Sequence, residues 1–223
     1  MNKIALISVF YFVFIWSSLD LLKATDEIEA SQSSPKISSF LEDNFQYDSD
    51  LSDLSGLQLS EIESLEDSDP SVVSANLSKN SFYLELAEAL STNKKITVLN
   101  LRECNLDDEC GVPLFKMTWL TGLDISQNKL SSKSVGLFTT LQNLTVLICA
   151  GNPLGNTLPK ALSDHTKLTY LDASSCSLDD TCIDDLIALK SLRKLILKGN
   201  KFTGSGQKKL VNAGDNRSLE IIF

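Results

Sequence analysis

Two stretches of this 223-residue chain gather side chains that could do chemistry: CNLDDEC at residues 104–110 and CSLDDTC at residues 176–182. Four of the five cysteines and two aspartate pairs, Asp107–Asp108 and Asp179–Asp180, fall inside them. Paired thiols suit a tetrahedral zinc site, whose ligands must lie about 2.3 Å from one ion, or a pair of disulfides. Paired carboxylates suit general acid–base work, and His165, the one histidine, could join them. Each feature has a plainer reading. Aspartates at a helix start cap its free amides, and buried thiols pack as small hydrophobes. His165 lies between a helix and a strand, with no nucleophile at a defined spacing, and reads as an exposed loop residue. No glycine-rich phosphate loop or metal-ligand spacing is present in the sequence.

The elements that position these residues decide between the readings. From Val72 onward a 24-residue period runs without a gap. Leu120, Leu123, Ile125, Asn128 and Leu130 recur as Leu144, Leu147, Cys149, Asn152 and Leu154, then as Leu168, Leu171, Ala173, Cys176 and Leu178. Equivalent sets begin at Val72, Ile96 and Leu192, and a partial one at Leu219 with Ile222, three residues late. The frame LxxLxLxx(N/C)xL resembles the leucine-rich-repeat superfamily over about two thirds of the chain. That resemblance implies an α/β solenoid, a horseshoe with parallel strands on its concave face and short helices on its convex face. Helices are expected within 83–95 and 179–191 and at Pro159, with Leu90, Leu114, Phe138, Leu162, Leu186 and Leu210 turned inward. An inward asparagine where the chain leaves the sheet can satisfy backbone groups of the turn.

In this frame Cys104 and Cys176 take the turn position, Cys110 and Cys182 an inward helical position, and Cys149 a strand core position, so all five replace buried residues. The two motifs stand three coils apart, roughly 14 Å at about 4.8 Å per strand. Shared zinc coordination is thereby ruled out, and no metal or cofactor is expected. The thiols are either buried and free or joined as Cys104–Cys110 and Cys176–Cys182, the second requiring an oxidising compartment.

Charge divides the chain into three parts. Residues 1–24 open with Lys3 and an apolar run from Ile4 to Trp16, the pattern of an export signal. An uncleaved anchor over residues 4–22 is the alternative, with Leu22 a poor fit in the cleavage site before Thr25. Residues 25–70 hold thirteen acids and eleven serines against the single Lys36, and are expected to be disordered. Leucines return in LSDLSGLQLSEIESL at 51–65, where a short helix or a degenerate capping element is expected. Residues 71–223 form the repeat domain, with fifteen acids and seventeen bases. Without a basic stripe, nucleic acid is not an expected partner.

Function is expected on the outward strand positions, because the resemblance implies protein binding on the concave face. These form three columns, from which Val98, Asn100, Arg102, Asp124, Val146, Ile148, Tyr170, Asp172, Lys194, Ile196 and Lys198 are the candidate contacts. Val146, Ile148, Tyr170 and Ile196 are expected to cluster in the open, rimmed by Asp172, Lys194 and Lys198. The reading is a secreted or cell-surface recognition module, monomeric and without catalysis, that binds a protein partner. A structural scaffold assembling through its final strand is the alternative. Asn76, Asn143 and Asn216 head glycosylation sequons that matter only in a eukaryotic source, and Asn76 would face the concave side.

Overall fold

The computed structural model describes residues 74–79, 84–92, 94 and 96–223. The N-terminal signal or anchor, the acidic segment and the side chain of Asn76 lie outside the described residues. Among those described, seven parallel strands form one open sheet in sequence order: β1 Ser74–Asn76, β2 Val98–Asn100, β3 Gly122–Asp124, β4 Val146–Ile148, β5 Tyr170–Asp172, β6 Lys194–Ile196 and β7 Glu220–Ile222. Between them run α1 Leu84–Leu90, α2 Asp108–Leu114, a 3₁₀ helix Val135–Thr140, α3 Leu158–Ala161, a 3₁₀ turn Asp180–Cys182 leading into α4 Ile183–Ala188, and α5 Gly204–Asp215. The expected helices appear, although the one read over 83–95 is regular only from Leu84 to Leu90. No described helix is long and apolar enough to cross a membrane.

Three-residue strands are too short to hold together alone, and the coils are tied at both ends of each strand. At the entry stands a threonine in four successive coils. The hydroxyls of Thr121, Thr145 and Thr169 donate to the carbonyls of Thr97, Thr121 and Thr145, at 3.2, 2.9 and 3.1 Å. Their amides donate to the same carbonyls at 2.8–2.9 Å. At the exit, the residue before the Asn/Cys corner is left-handed in every coil: Lys79, Glu103, Gln127, Gly151, Ser175 and Gly199 all have positive φ. Four of these are not glycine, a local cost that the stacked corner must outweigh. The two CxLDD coils carry a second left-handed residue just after the cysteine, Asn105 and Ser177, and this sets their corner apart from the asparagine type.

The core lies between the sheet and the helical backs. Leu90, Leu114, Phe138, Leu162, Leu186 and Leu210 are all buried there, against Leu99, Leu123, Leu147, Leu171 and Leu195 from the strands. Register holds at 24 residues from β1 to β6 and then lengthens, Lys194 pairing Glu220 and Leu195 pairing Ile221. The last coil is therefore two residues late, not three, and Ile221 takes the frame position read for Ile222. The cause is the 12-residue α5, longer than the other backs, and the tight turn after it in which Leu219 N donates to Gly214 O. Leu219 folds into the core at that turn.

Candidate partner-binding face

The corner residues that first suggested chemistry are occupied by structure. Asn128 Oδ1 accepts from Cys104 N and Leu106 N of the preceding coil at 2.9 and 3.0 Å. Its Nδ2 donates to Leu101 O and Ile125 O, both at 2.8 Å. Asn200 repeats the pattern on Cys176 N, Leu178 N, Ala173 O and Leu197 O, and Asn152 most of it. The asparagine thus serves two coils, not only its own turn. A cysteine there keeps only a donor: Cys104 Sγ reaches Leu77 O at 3.0 Å and Cys176 Sγ reaches Cys149 O at 3.3 Å.

No disulfide joins any of the five cysteines, and four of them are buried; Cys110 is only half-buried, because its position opens the first turn of α2. The Cys176 thiol and then burial raise Cys149 well above the ordinary thiol range. Burial likewise pushes Cys182 up to about 11. Neither is a reactive thiolate at neutral pH. Among the described residues no three His, Cys, Asp or Glu side chains are placed to hold a metal ion.

The aspartate pairs divide their work. Asp107 and Asp179 cap the helical turns that follow, accepting from Cys110 N at 2.9 Å and Thr181 N at 2.8 Å. Those bonds hold both carboxyls below their ordinary range, Cys110 N chiefly for Asp107 and the Thr181 hydroxyl and amide for Asp179. The second aspartate of each pair reaches the next coil instead. Asp108 accepts from Ser131 N at 2.8 Å and from the hydroxyls of Ser131 and Ser134. Asp180 does the same with the amide and hydroxyl of Thr203, itself the cap of α5. Burial alone would raise the Asp108 carboxyl, yet Ser131 and Ser134 bring it below the usual value. The capping expectation therefore holds for one aspartate of each pair, and the other is a staple between coils.

His165 is buried at 2 % exposure, not an exposed loop residue. Its frame equivalents are Met117, Leu141 and Leu189, all buried, so the column reads apolar wherever a side chain is described in it. Neither ring nitrogen has a hydrogen-bond partner, and burial lowers its pKa. Such an imidazole is neutral and cannot reach a substrate from the surface.

The strand face gathers the remaining candidates. Register places Val98, Gly122, Val146, Tyr170 and Lys194 in one row and Asn100, Asp124, Ile148, Asp172 and Ile196 in the next. Val98, Val146, Ile148 and Tyr170 form an apolar cluster separate from the core, with Ile196 packed against it. The clustering is as expected, but the cluster is not open: the four are 4–8 % exposed, and Asn100 and Asp124 are fully buried. Each side chain is flanked on both sides by register neighbours about 4.8 Å away, which hides its flanks. Arg102, Asp172, Lys194 and Ile196 are half-buried and Lys198 is exposed.

Much of the polar rim is committed to the backbone. Asn100, Asp124 and Asp172 each accept, through Oδ1, the amide of the residue two further on, at 3.0, 2.8 and 2.9 Å. These bonds end the strands. Lys194 pairs with Glu220 at 3.2 Å and Arg102 with Glu103 at 2.8 Å, both exposed enough to rearrange. Ser126 was not among the candidate contacts. It sits in the third row, buried, and its Oγ has no hydrogen-bond partner, as is true of Asn100 Nδ2.

One parallel sheet, one strand per coil, asparagine corners and helical backs define a β–α solenoid. The fold is that of a leucine-rich-repeat solenoid, and a leucine-rich-repeat profile matches residues 92–115. Its fold is similar to that of internalin C2 from Listeria monocytogenes, at 24% identity and TM-score 0.53 over 66% of this chain. A second internalin of that organism, inlF, aligns over 74% of the chain at 21% identity and TM-score 0.48. The chain spans 59% of the length of the internalin C2 structure and 49% of that of inlF. None of the curated proteins matches its sequence.

Proposed function

We propose that the chain is an exported recognition module that binds a protein partner through its strand face and has no catalysis of its own. The observation that carries this reading is the second apolar cluster, Val98, Val146, Ile148 and Tyr170 with Ile196, built on the side of the sheet that the core does not use. A solenoid needs apolar residues only between sheet and helices to stack. Apolar residues on the other face, centred on a tyrosine and rimmed by Lys194 and Lys198, have the composition of a recognition surface. The groups that could run acid–base chemistry are engaged in caps and staples or buried, which supports a binding role over an enzymatic one. Export is supported by the apolar run from Ile4 to Trp16 behind Lys3.

The test is capture by the immobilised chain from extracts, with Ile196→Ala and Lys198→Glu in parallel. Both positions lie at the accessible edge of the cluster, so both variants should unfold at the wild-type midpoint. A partner held by the wild type and lost from both variants supports the reading. A partner held equally by all three refutes the site.

A further inference from the structure

The strand face is buried although no residue of the helical core packs on it. Every helical core residue belongs to the cluster on the far side of the sheet, and none belongs to the cluster of Val98, Val146, Ile148 and Tyr170. Side chains standing up from a single sheet shield one another's flanks, but their tips stay in water unless something lies across them. Asn100 and Asp124 nevertheless have no exposed surface, and Tyr170 keeps 5 %. In the same face Gly122, itself buried, leaves a notch between Val98 and Val146. A glycine inside a strand is where another backbone can approach closely.

We propose that residues 51–65 of this chain dock across the strand face and occupy it until a partner displaces them. Three observations favour this segment. The first is composition: 51–65 carries Leu51, Leu54, Leu57, Leu59, Ile62 and Leu65 within an otherwise acidic, serine-rich region. On a helix Leu51, Leu54, Ile62 and Leu65 would fall within about 80° of one another, with Asp53 and Glu63 on the opposite side. The second is reach. Residues 66–73 can span at most about 26–29 Å, and β1 to β5 is four strand spacings, about 19 Å. The third is charge, because the net −12 of residues 25–70 suits the Arg102, Lys194 and Lys198 margins of the face. The apolar run at 4–16 is the weaker occupant, since it reads as a signal removed on export. The proposal takes the strand face as the binding face but needs no partner to be tested.

Hydroxyl-radical footprinting of the full chain reads side-chain access at Tyr170 directly. In the wild type Tyr170 should react as weakly as the core residue Phe138. Leu54→Asp with Ile62→Asp should raise its reactivity severalfold and leave Phe138 unchanged. Gly122→Val, which fills the notch from the other side, should do the same. A photo-crosslinking phenylalanine analogue in place of Leu57 should join the segment to peptides containing β2–β5. Crosslinks confined to other surfaces, or a Tyr170 that is reactive in the wild type or equally protected in the variants, would overturn the assignment. If Tyr170 responds as expected while capture is unaffected by Ile196→Ala and Lys198→Glu, the docking stands and the function proposed above fails.

Discussion

Replacing Asn128 with alanine tests whether the corner asparagine holds two coils together. Asn128 makes four short hydrogen bonds, two accepted from the preceding coil and two donated. Its loss leaves Cys104 N, Leu106 N and Leu101 O without that partner, whereas Ile125 O is still served by Asn152 Nδ2 at 2.8 Å. Three buried backbone groups left unsatisfied, each at the low end of about 1–3 kcal/mol, cost about 3–4 kcal/mol. The chain supplies its own intermediate case. Asn128→Cys should place a thiol on Leu101 O, as Cys104 does on Leu77 O, and recover one of the three. The expected order is wild type, then Asn128→Cys at about 2 kcal/mol lost, then Asn128→Ala. Urea unfolding followed by circular dichroism measures all three. The slope with urea should be unchanged, because the same surface unfolds. A loss below about 1 kcal/mol for alanine, or cysteine no better than alanine, would refute the account of the corner.

His165 is neutral in the fold, and the unfolded chain takes up a proton below about pH 6.5 that the folded chain resists. Stability is therefore unaffected above that pH and falls by up to about 1.4 kcal/mol per unit below it, until the lowered folded pKa is reached. Urea midpoints between about pH 5 and 7.5 should show this slope, and His165→Leu should abolish it; a slope that persists would assign it to other groups. The depressed carboxyls of Asp107, Asp108 and Asp179 act in a lower window, stabilising above about pH 4 and losing that effect as pH falls through their folded pKa values. Asp108→Ala should cost about 1–2 kcal/mol and couple to Ser131→Ala in a double-mutant cycle; additive losses would deny the staple. Under native conditions an alkylating reagent should label Cys110 first and the other four only on unfolding, read as mass increments; Cys182 reacting as fast as Cys110 would contradict its burial.

What the sequence makes legible follows from what repetition can report. A period of 24 fixes which residues stack, so the strand register, the inward leucines and the asparagine corners can all be read by counting. Counting fails where one coil changes its length. α5 takes extra residues, and the last strand falls in a register that Leu219 and Ile222 alone do not reveal. His165 was legible but needed the right comparison: its column, Met117, Leu141 and Leu189, says buried, whereas its loop context says exposed. The strand face is a different case. Its columns give residue types, and the tyrosine cluster is legible in them. Whether that face is open depends on what lies across it, which no periodicity inside the repeats encodes. Another source within the chain is the region before Ser74, whose leucines between residues 51 and 65 break the period and carry the apolar surface such a cover needs. A recognition face that starts out occupied by its own chain changes what affinity measures. A partner must then bind the face more tightly than a tethered segment held at millimolar effective concentration, so weakening that segment should raise apparent affinity with no new contact formed.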